Sequence, residues 1–291
     1  MKKLLITFML RNNEEYIPYM LKCIDLIEEK NKIFDVSYIF YTNNNEDKTL
    51  ELLQKEKKEN FQIIEKDYDK EFLDQPRIKK LHYLREDFLQ IIKKLDFDYL
   101  LMLDSDIFFN YSMIKDSVNI LEKKDYDAIT TNTVKYDVPF YYDSFSLSTK
   151  NRKKYTPNIL TDFKFLKFNF WTLWNANNHM DVESAFGGFY MIRSKVIKSN
   201  ISYIEGNKNI EKNICEHKYF NQQIKNLKFI NHITPFWCEH TGIKEIYDKS
   251  YDIIKKNNSD NRNFSKFFTT ILLYLIIFFL VIYLIFKIYK R

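Results

Sequence analysis

Glycine is nearly missing from this chain: 291 residues contain 4, alongside 5 prolines and 3 cysteines. So little glycine excludes collagen-like or Gly-linker architectures, and it excludes a Gly-rich phosphate loop, whose tight turns need residues without a Cβ. The cysteines, Cys23, Cys215 and Cys238, are too few for a disulfide framework and agree with a reducing compartment. An excess of one charge is also lacking. Lys and Arg number 45 and Asp and Glu 39, a net +6, and removing Lys287, Lys290 and Arg291 leaves 42 against 39 for residues 1–266. A folded part so close to neutral gives no electrostatic ground for a nucleic-acid partner. What is abundant is apolar and aromatic matter, 45% and 17% of residues, which supplies a core and excludes global disorder.

That apolar matter is unevenly placed. Residues 267–286 read FFTTILLYLIIFFLVIYLIF, twenty positions without a charge. As a helix rising about 1.5 Å per residue they would span roughly 30 Å, the thickness of a bilayer core. The run is apolar on all sides and flanked by Lys and Arg, so a transmembrane helix is expected over 267–286 with a basic tail at 287–291. The N-terminal Leu4–Leu10 run is only seven residues long and is followed by Arg11-Asn12-Asn13-Glu14-Glu15, which reads as a buried first strand rather than a secretory leader. The expected topology is therefore a single-pass C-terminal anchor in a lipid bilayer, with the globular domain over 1–243 in the cytoplasm and a polar linker over 244–266.

Within the domain, short apolar runs alternate with stretches of helical periodicity, the α/β pattern. Strands are expected at Leu4–Met9, Val36–Tyr41, Phe61–Ile64, Tyr99–Leu103 and from Ala128 to Thr131. Helices are expected after Ile17, around 49–58, over Arg77–Lys94 and from a cap at Ser112 to about Lys124. Residues 135–185 are crowded with aromatics and lack periodicity, which predicts long loops and small strands. Gly187-Gly188 holds half of all the glycine, and such a pair implies positive φ or a close backbone approach just before the apolar run Phe189–Ile192.

The segment Leu100-Leu101-Met102-Leu103-Asp104-Ser105-Asp106 is an apolar strand ending in two carboxylates one residue apart. Ligands of open α/β sheets bind beyond the carboxyl ends of the strands, so these acids would stand at a site. Paired carboxylates call for a cation, and Mg²⁺ or Mn²⁺ held by one or two of them can in turn hold a diphosphate.

Four segments around this strand resemble nucleotide-sugar glycosyltransferases of the GT-A fold: Leu5 to Ile17, Phe40 to Thr49, Arg77 to Arg85 and Tyr141 to Leu147. The third is similar to the "R-x-x-R-L-A-x-L-R" helix and the fourth to the "Y-Y-D-T-F-A-L" element of the fungal capsule-associated mannosyltransferase group, with Lys80 and His82 standing where that group has Arg and Ala. The resemblance implies a Rossmann-like, mostly parallel sheet flanked by helices. It implies a UDP- or GDP-linked sugar donor, Mn²⁺ or Mg²⁺, and a glycan, lipid or protein acceptor. Arg11, Asn12 and Asp47 would lie around the nucleotide base and ribose. Asp104, Ser105 and Asp106 would meet the metal and diphosphate, with Arg77, Lys80 or Arg85 adding positive charge there. Glu216 would be the base that accepts the acceptor's proton, with Asp181 and Glu183 as competitors, and His240 a third metal ligand.

Other readings of the same residues stay open. The repeated Cys-Glu-His offers Cys215, His217, Cys238 and His240 as zinc ligands, though one intervening residue is tighter than the usual two to four. Trp171 and Trp174 are candidates either for stacking on a sugar ring or for the core. A phosphatase of the haloacid dehalogenase type also ends a strand in Asp-x-Asp, but carries Thr or Val where Phe108 stands and uses its first strand. A tethered, non-catalytic module is the third alternative.

Overall fold

The computed structural model describes residues 1–135, 138–149, 168–169, 172, 175, 177–208, 210–212, 214–238, 243–255 and 259. The first half runs β1 (Lys2–Leu10), α1 (Ile17–Lys30), β2 (Phe34–Thr42), α2 (Thr49–Lys55), β3 (Phe61–Glu65), α3 (Lys70–Leu73), α4 (Arg77–Ile92) and β4 (Tyr99–Leu103). It continues through β5 (Ile107–Phe108), α5 (Tyr111–Lys124), β6 (Ala128–Thr131), β7 (Val134–Lys135) and β8 (Val138–Tyr141). The second half holds β9 (His179–Asp181), β10 (Phe189–Arg193), α6 (Ser194–Ile197), α7 (Glu216–Gln222), β11 (Leu227–Ile230), β12 (Phe236–Trp237) and α8 (Ile243–Lys255).

Eight strands form one sheet in the order β3-β2-β1-β4-β10-β6-β11-β9, and β5-β12-β7-β8 form a second, smaller one. The β3-β2-β1-β4 half is parallel throughout. Beyond it the sheet is mixed: β10 is antiparallel to both β4 and β6, and β9 is antiparallel to β11. The apolar run at β10 reads as a strand from sequence, but its direction does not. A strand buried on both faces carries no alternation, and direction comes from the connection alone.

Side chains of β1 divide by parity, as a pleated strand requires. Leu4, Ile6, Phe8 and Leu10 enter a core with α1, α5 and α8, whereas Leu5 joins Leu100 and Met102 in a second core with α4. Pro18 sits in the first turn of α1, where its missing N–H has no intrahelical partner to lose. The cap of α5 is Asn110 rather than Ser112: Asn110 Oδ1 accepts from Met113 N at 3.2 Å and from Ser112 Oγ at 2.7 Å.

The expected linker from 244 begins instead as α8, which belongs to the folded body. Ile243, Tyr247 and Ile254 are buried in the first core, and Tyr247 packs on Tyr19 and Phe108 with ring centroids 4.7 and 5.1 Å apart. Among the described residues no helix is long and apolar enough to cross a membrane. The expected span at 267–286 and tail at 287–291 lie outside the described residues.

Candidate functional site

In the chain order β3-β2-β1-β4 the direction of winding reverses between β1 and β4, and the loops after their carboxyl ends part there to leave a crevice. A cleft of about 740 Å³ opens at this point. Its walls come from the β1–α1 loop (Arg11, Asn13, Tyr16), from α4 (Arg77, Lys80, Leu84, Arg85), from the turn after β4 (Asp104, Ser105, Asp106) and from the segments around Tyr142–Ser146 and Cys215–His217. Four cations (Arg11, Arg77, Lys80, Arg85) and four carboxylates (Asp104, Asp106, Asp143, Glu216) thus face one space.

The acidic floor is built around a buried guanidinium. Arg85 Nε lies 3.2 Å from Glu216 Oε1, and Arg85 Nη2 lies 3.7 Å from Asp104 Oδ1. Its other side covers the Phe186 ring at 4.8 Å, and Phe186 stacks on His217 at 3.9 Å. Burial pushes the Asp104 carboxyl up to about 7; Arg85 opposes this, while Asp106, Asp143 and Glu216 add to it. Burial also raises the carboxyl of Asp143, against hydrogen bonds from Ser146 and from Gly187 N, the latter at 3.0 Å. His217 is held well below the usual range by burial and then by the positive charge of Arg85, so it is neutral.

The glycine pair does what its rarity implies. Gly187 and Gly188 both have φ of 65°. A Cβ on Gly188 would come within 2.4 Å of the Ile107 side chain, and the Gly188 carbonyl accepts from Asp104 N at 3.0 Å. The backbone must therefore pass this close for Asp104 to be set at the end of β4.

Arg11, Arg77, Lys80, Arg85, Asp104, Ser105, Asp106 and Glu216 are all brought to the cleft as the sequence leads one to expect. Asn12 and Asp47 are not among its lining residues. They latch two loops together: Asn12 Oδ1 accepts from Glu46 N at 2.8 Å, and the Asp47 oxygens accept from Glu14 N and Thr49 N, each at 2.9 Å. Burial opposes the Asp47 charge, but hydrogen bonds from the Thr49 hydroxyl and these backbone groups outweigh it and hold the carboxyl below its usual range. Asp181 is exposed on the edge strand β9 in an ion pair with Lys228, and Glu183 is half-buried; neither lines the cleft. His240, Trp171 and Trp174 lie outside the described residues.

His82 has a structural task. Fully buried, it faces the Ile214 carbonyl and the Asn207 side chain at 3.3 Å each and so ties α4 to the segment leading into α7. Residues that sequence reasoning did not assign to the site are Tyr142, Asp143, Ser146 and Phe186, all of which line it. The Tyr141–Leu147 motif carried that signal for the first three. Nothing local marks Phe186 beyond its place before the glycine pair.

Among the described residues no three His, Cys, Asp or Glu side chains form a ready-made metal cage, which includes Cys215, His217 and Cys238. The donor set after β4 is two carboxylates in an acidic floor. Such hard oxygen ligands fit Mg²⁺ or Mn²⁺, ions that take one or two carboxylates and complete their shell with water and substrate phosphates.

No protein-family model and no curated protein matches the chain. Solved structures do. The chain is similar to S. aureus TarS 1-349 at 14% identity and a TM-score of 0.50, covering 91% of this chain and 68% of that one. Against the crystal structure of S. aureus TarS the values are 12%, 0.51, 91% and 41%. TarS 1-349 is also known in complex with UDP and with UDP-GlcNAc. A mannosyltransferase from Pyrobaculum calidifontis in complex with GDP-Man and Mn²⁺ matches at 9% identity and a TM-score of 0.48, covering 87% and 63%. Identities this low speak to architecture alone, and on that architecture the chain has a GT-A-like mixed α/β fold shared with TarS.

Proposed function

We propose that this chain is a metal-dependent glycosyltransferase that moves a sugar from a nucleoside-diphosphate sugar to a glycan, lipid or protein acceptor. One observation carries the reading: cations and carboxylates line a single cleft at the β1/β4 crevice, together with the Asp104-Ser105-Asp106 turn. A nucleotide sugar calls on both, its diphosphate for cations and its sugar hydroxyls for acceptors. The GT-A-like fold and the nucleotide ligands of TarS support the same donor class.

In this reading Arg11, Arg77 and Lys80 receive the nucleotide and its phosphates, and Asp104 and Asp106 hold Mn²⁺ or Mg²⁺. The ion, when bound, stabilises the negative charge that develops on the departing diphosphate. Arg85 orients Glu216 through its Nε–H, and Glu216 accepts the proton of the acceptor hydroxyl. Asn12 and Asp47 act indirectly by holding the loop that carries Arg11. The motif resemblance to capsule-associated mannosyltransferases makes GDP-mannose a first donor to test, and TarS makes UDP-GlcNAc the second. Residues 267–286 serve as the membrane anchor, with the catalytic domain on the cytoplasmic side.

The test is thermal stabilisation of the full chain in detergent by UDP- and GDP-sugars, with and without Mn²⁺. Binding to the native state at a hundredfold excess over Kd stabilises by about 2.7 kcal/mol. The expected outcome is a response to one donor that needs Mn²⁺ and disappears in Asp106→Ala. Silence toward every nucleotide sugar, with release of phosphate from simple phosphoesters, overturns the reading in favour of a phosphatase.

A further inference from the structure

One contact bears on how the acidic pair is held in place. The Trp237 indole donates from Nε1 to Asp106 Oδ2 at 3.0 Å, and the next residue, Cys238, donates its backbone N–H to the Asp106 carbonyl at 3.0 Å. Trp237 ends β12, which lies antiparallel to β5 with Trp237 opposite Ile107, and Cys238 is the first residue after it. Asp106 is therefore gripped at its backbone and its side chain by two consecutive residues more than 130 positions away in sequence.

The indole is itself fixed. Its ring stacks on Tyr142 with centroids 4.8 Å apart and planes 12° from parallel, and Tyr142 lines the cleft. An indole N–H only donates, so it engages a lone pair of Asp106 Oδ2 and sets the plane in which that carboxylate lies. Asp104 differs: its carboxylate faces the Arg85 guanidinium at 3.7 Å.

We propose that Trp237 is a positioning residue of the cation site: its indole N–H sets the Asp106 carboxylate so that the divalent ion of the donor complex meets a ligand already oriented. This rests on the metal-dependent reading above. Outer-shell partners of ligating groups typically govern affinity by 10–100-fold, and this one is itself held by its stack on Tyr142.

Mn²⁺ affinity of the full chain in detergent, read from the electron paramagnetic resonance of free Mn²⁺ with UDP or GDP present, tests this without turnover. Trp237→Phe keeps an aromatic ring for Tyr142 and removes the N–H. It should weaken Mn²⁺ binding by about tenfold or more while the metal-free melting temperature stays within about 2 °C. Trp237→Gln, which restores an N–H donor without the indole, should recover part of the loss. Should neither variant fold, the unaltered chain still decides: saturating Mn²⁺ should broaden one indole ¹⁵N–¹H resonance beyond detection, and Mg²⁺ should shift it. Equal Mn²⁺ affinity in Trp237→Phe, or three indole resonances indifferent to Mn²⁺, overturns the role of Trp237 and leaves the metal reading standing. A native chain that binds no Mn²⁺ with either nucleotide overturns both.

Discussion

Asp104 carries an electrostatic load that Arg85 offsets only in part. Its pKa of about 7 in the folded chain lies above the model-peptide value near 3.9, so the native state binds the extra proton between those limits. Stability from this group is complete below about pH 4 and is lost as the pH rises toward 7, at no more than about 1.4 kcal/mol per unit. Asp104→Asn removes the dependence. In EDTA the variant should gain on the parent by on the order of 2 kcal/mol between pH 5.5 and pH 8, measured by urea unfolding. With Mn²⁺ and nucleotide the order should invert, because only the parent binds them. An unchanged difference across that pH range would mean that Asp104 is already ionised without strain. Gly188 tests the same spot sterically. Gly188→Ala puts a Cβ 2.4 Å from the Ile107 side chain at a φ of 65°, so unfolding should become easier by roughly 2 kcal/mol or more. Because Gly188 O holds Asp104 N, Mn²⁺ affinity should fall along with stability.

At the scale of elements, the β1–α1 and β2–α2 loops act as one unit because side chains of each cap the backbone of the other. Asp47 Oδ2 holds Glu14 N, Glu14 Oε2 holds Lys48 N at 3.0 Å, and Asn45 Oδ1 holds Asn12 N at 3.0 Å. Asp47→Ala should cost about 1–2 kcal/mol, as helix-cap losses do, and should raise the nucleotide Kd several-fold while leaving turnover at saturation nearly unchanged. A fall in kcat at constant KM would place Asp47 in the chemistry instead. This latch shows where legibility in the sequence stops. Parallel strands β1 to β4 and the helix at Arg77 are readable because each is a local run, and the strand end at Asp104 and Asp106 announces a site by position alone. Contacts between distant turns leave no local trace, so Asp47 reads as a ligand-facing acid when its oxygens are spent on backbone. The same limit hides Trp237 on Asp106. For α8, the reason is compositional: the exposed Lys244, Glu245, Asp248, Asp252 and Lys255 outnumber the buried Ile243, Tyr247 and Ile254. Tyr247→Ala should therefore destabilise the domain by about 3–5 kcal/mol, the range of large aromatic truncations in a core. Melting temperatures of parent and variant measure this, and a shift under 1 °C would return residues 243–255 to the status of linker.

At the scale of the whole molecule, the sequence falls into two parts of unlike composition. The part that folds is nearly neutral, 42 cations against 39 anions over residues 1–266, while 267–286 has no charge and the last five residues add three cations. Glycine scarcity belongs to this scale as well: with no Gly-rich loop available for phosphate, recognition of the proposed donor's diphosphate would fall to cationic side chains and to carboxylates acting through a cation. The run at 267–286 carries no charge into the cleft, so the proposed anchor and the site should separate cleanly. As a single helix, twenty apolar residues would satisfy their backbone hydrogen bonds internally and would span about 30 Å of hydrocarbon. Deleting residues 267–291 should move the chain from the membrane fraction to the soluble fraction and leave Mn²⁺-dependent nucleotide affinity within about twofold, a shift of less than about 0.5 kcal/mol. Replacing Leu275 and Phe279 by Arg within the full chain should have the same effect on fractionation, since each charge at the centre of a span costs about 2.5–3.5 kcal/mol of insertion free energy. Retention of the deletion variant on membranes would transfer the anchoring role to the surface of the folded domain. Loss of nucleotide binding in it would show that the bilayer segment supports the cleft as well as the location.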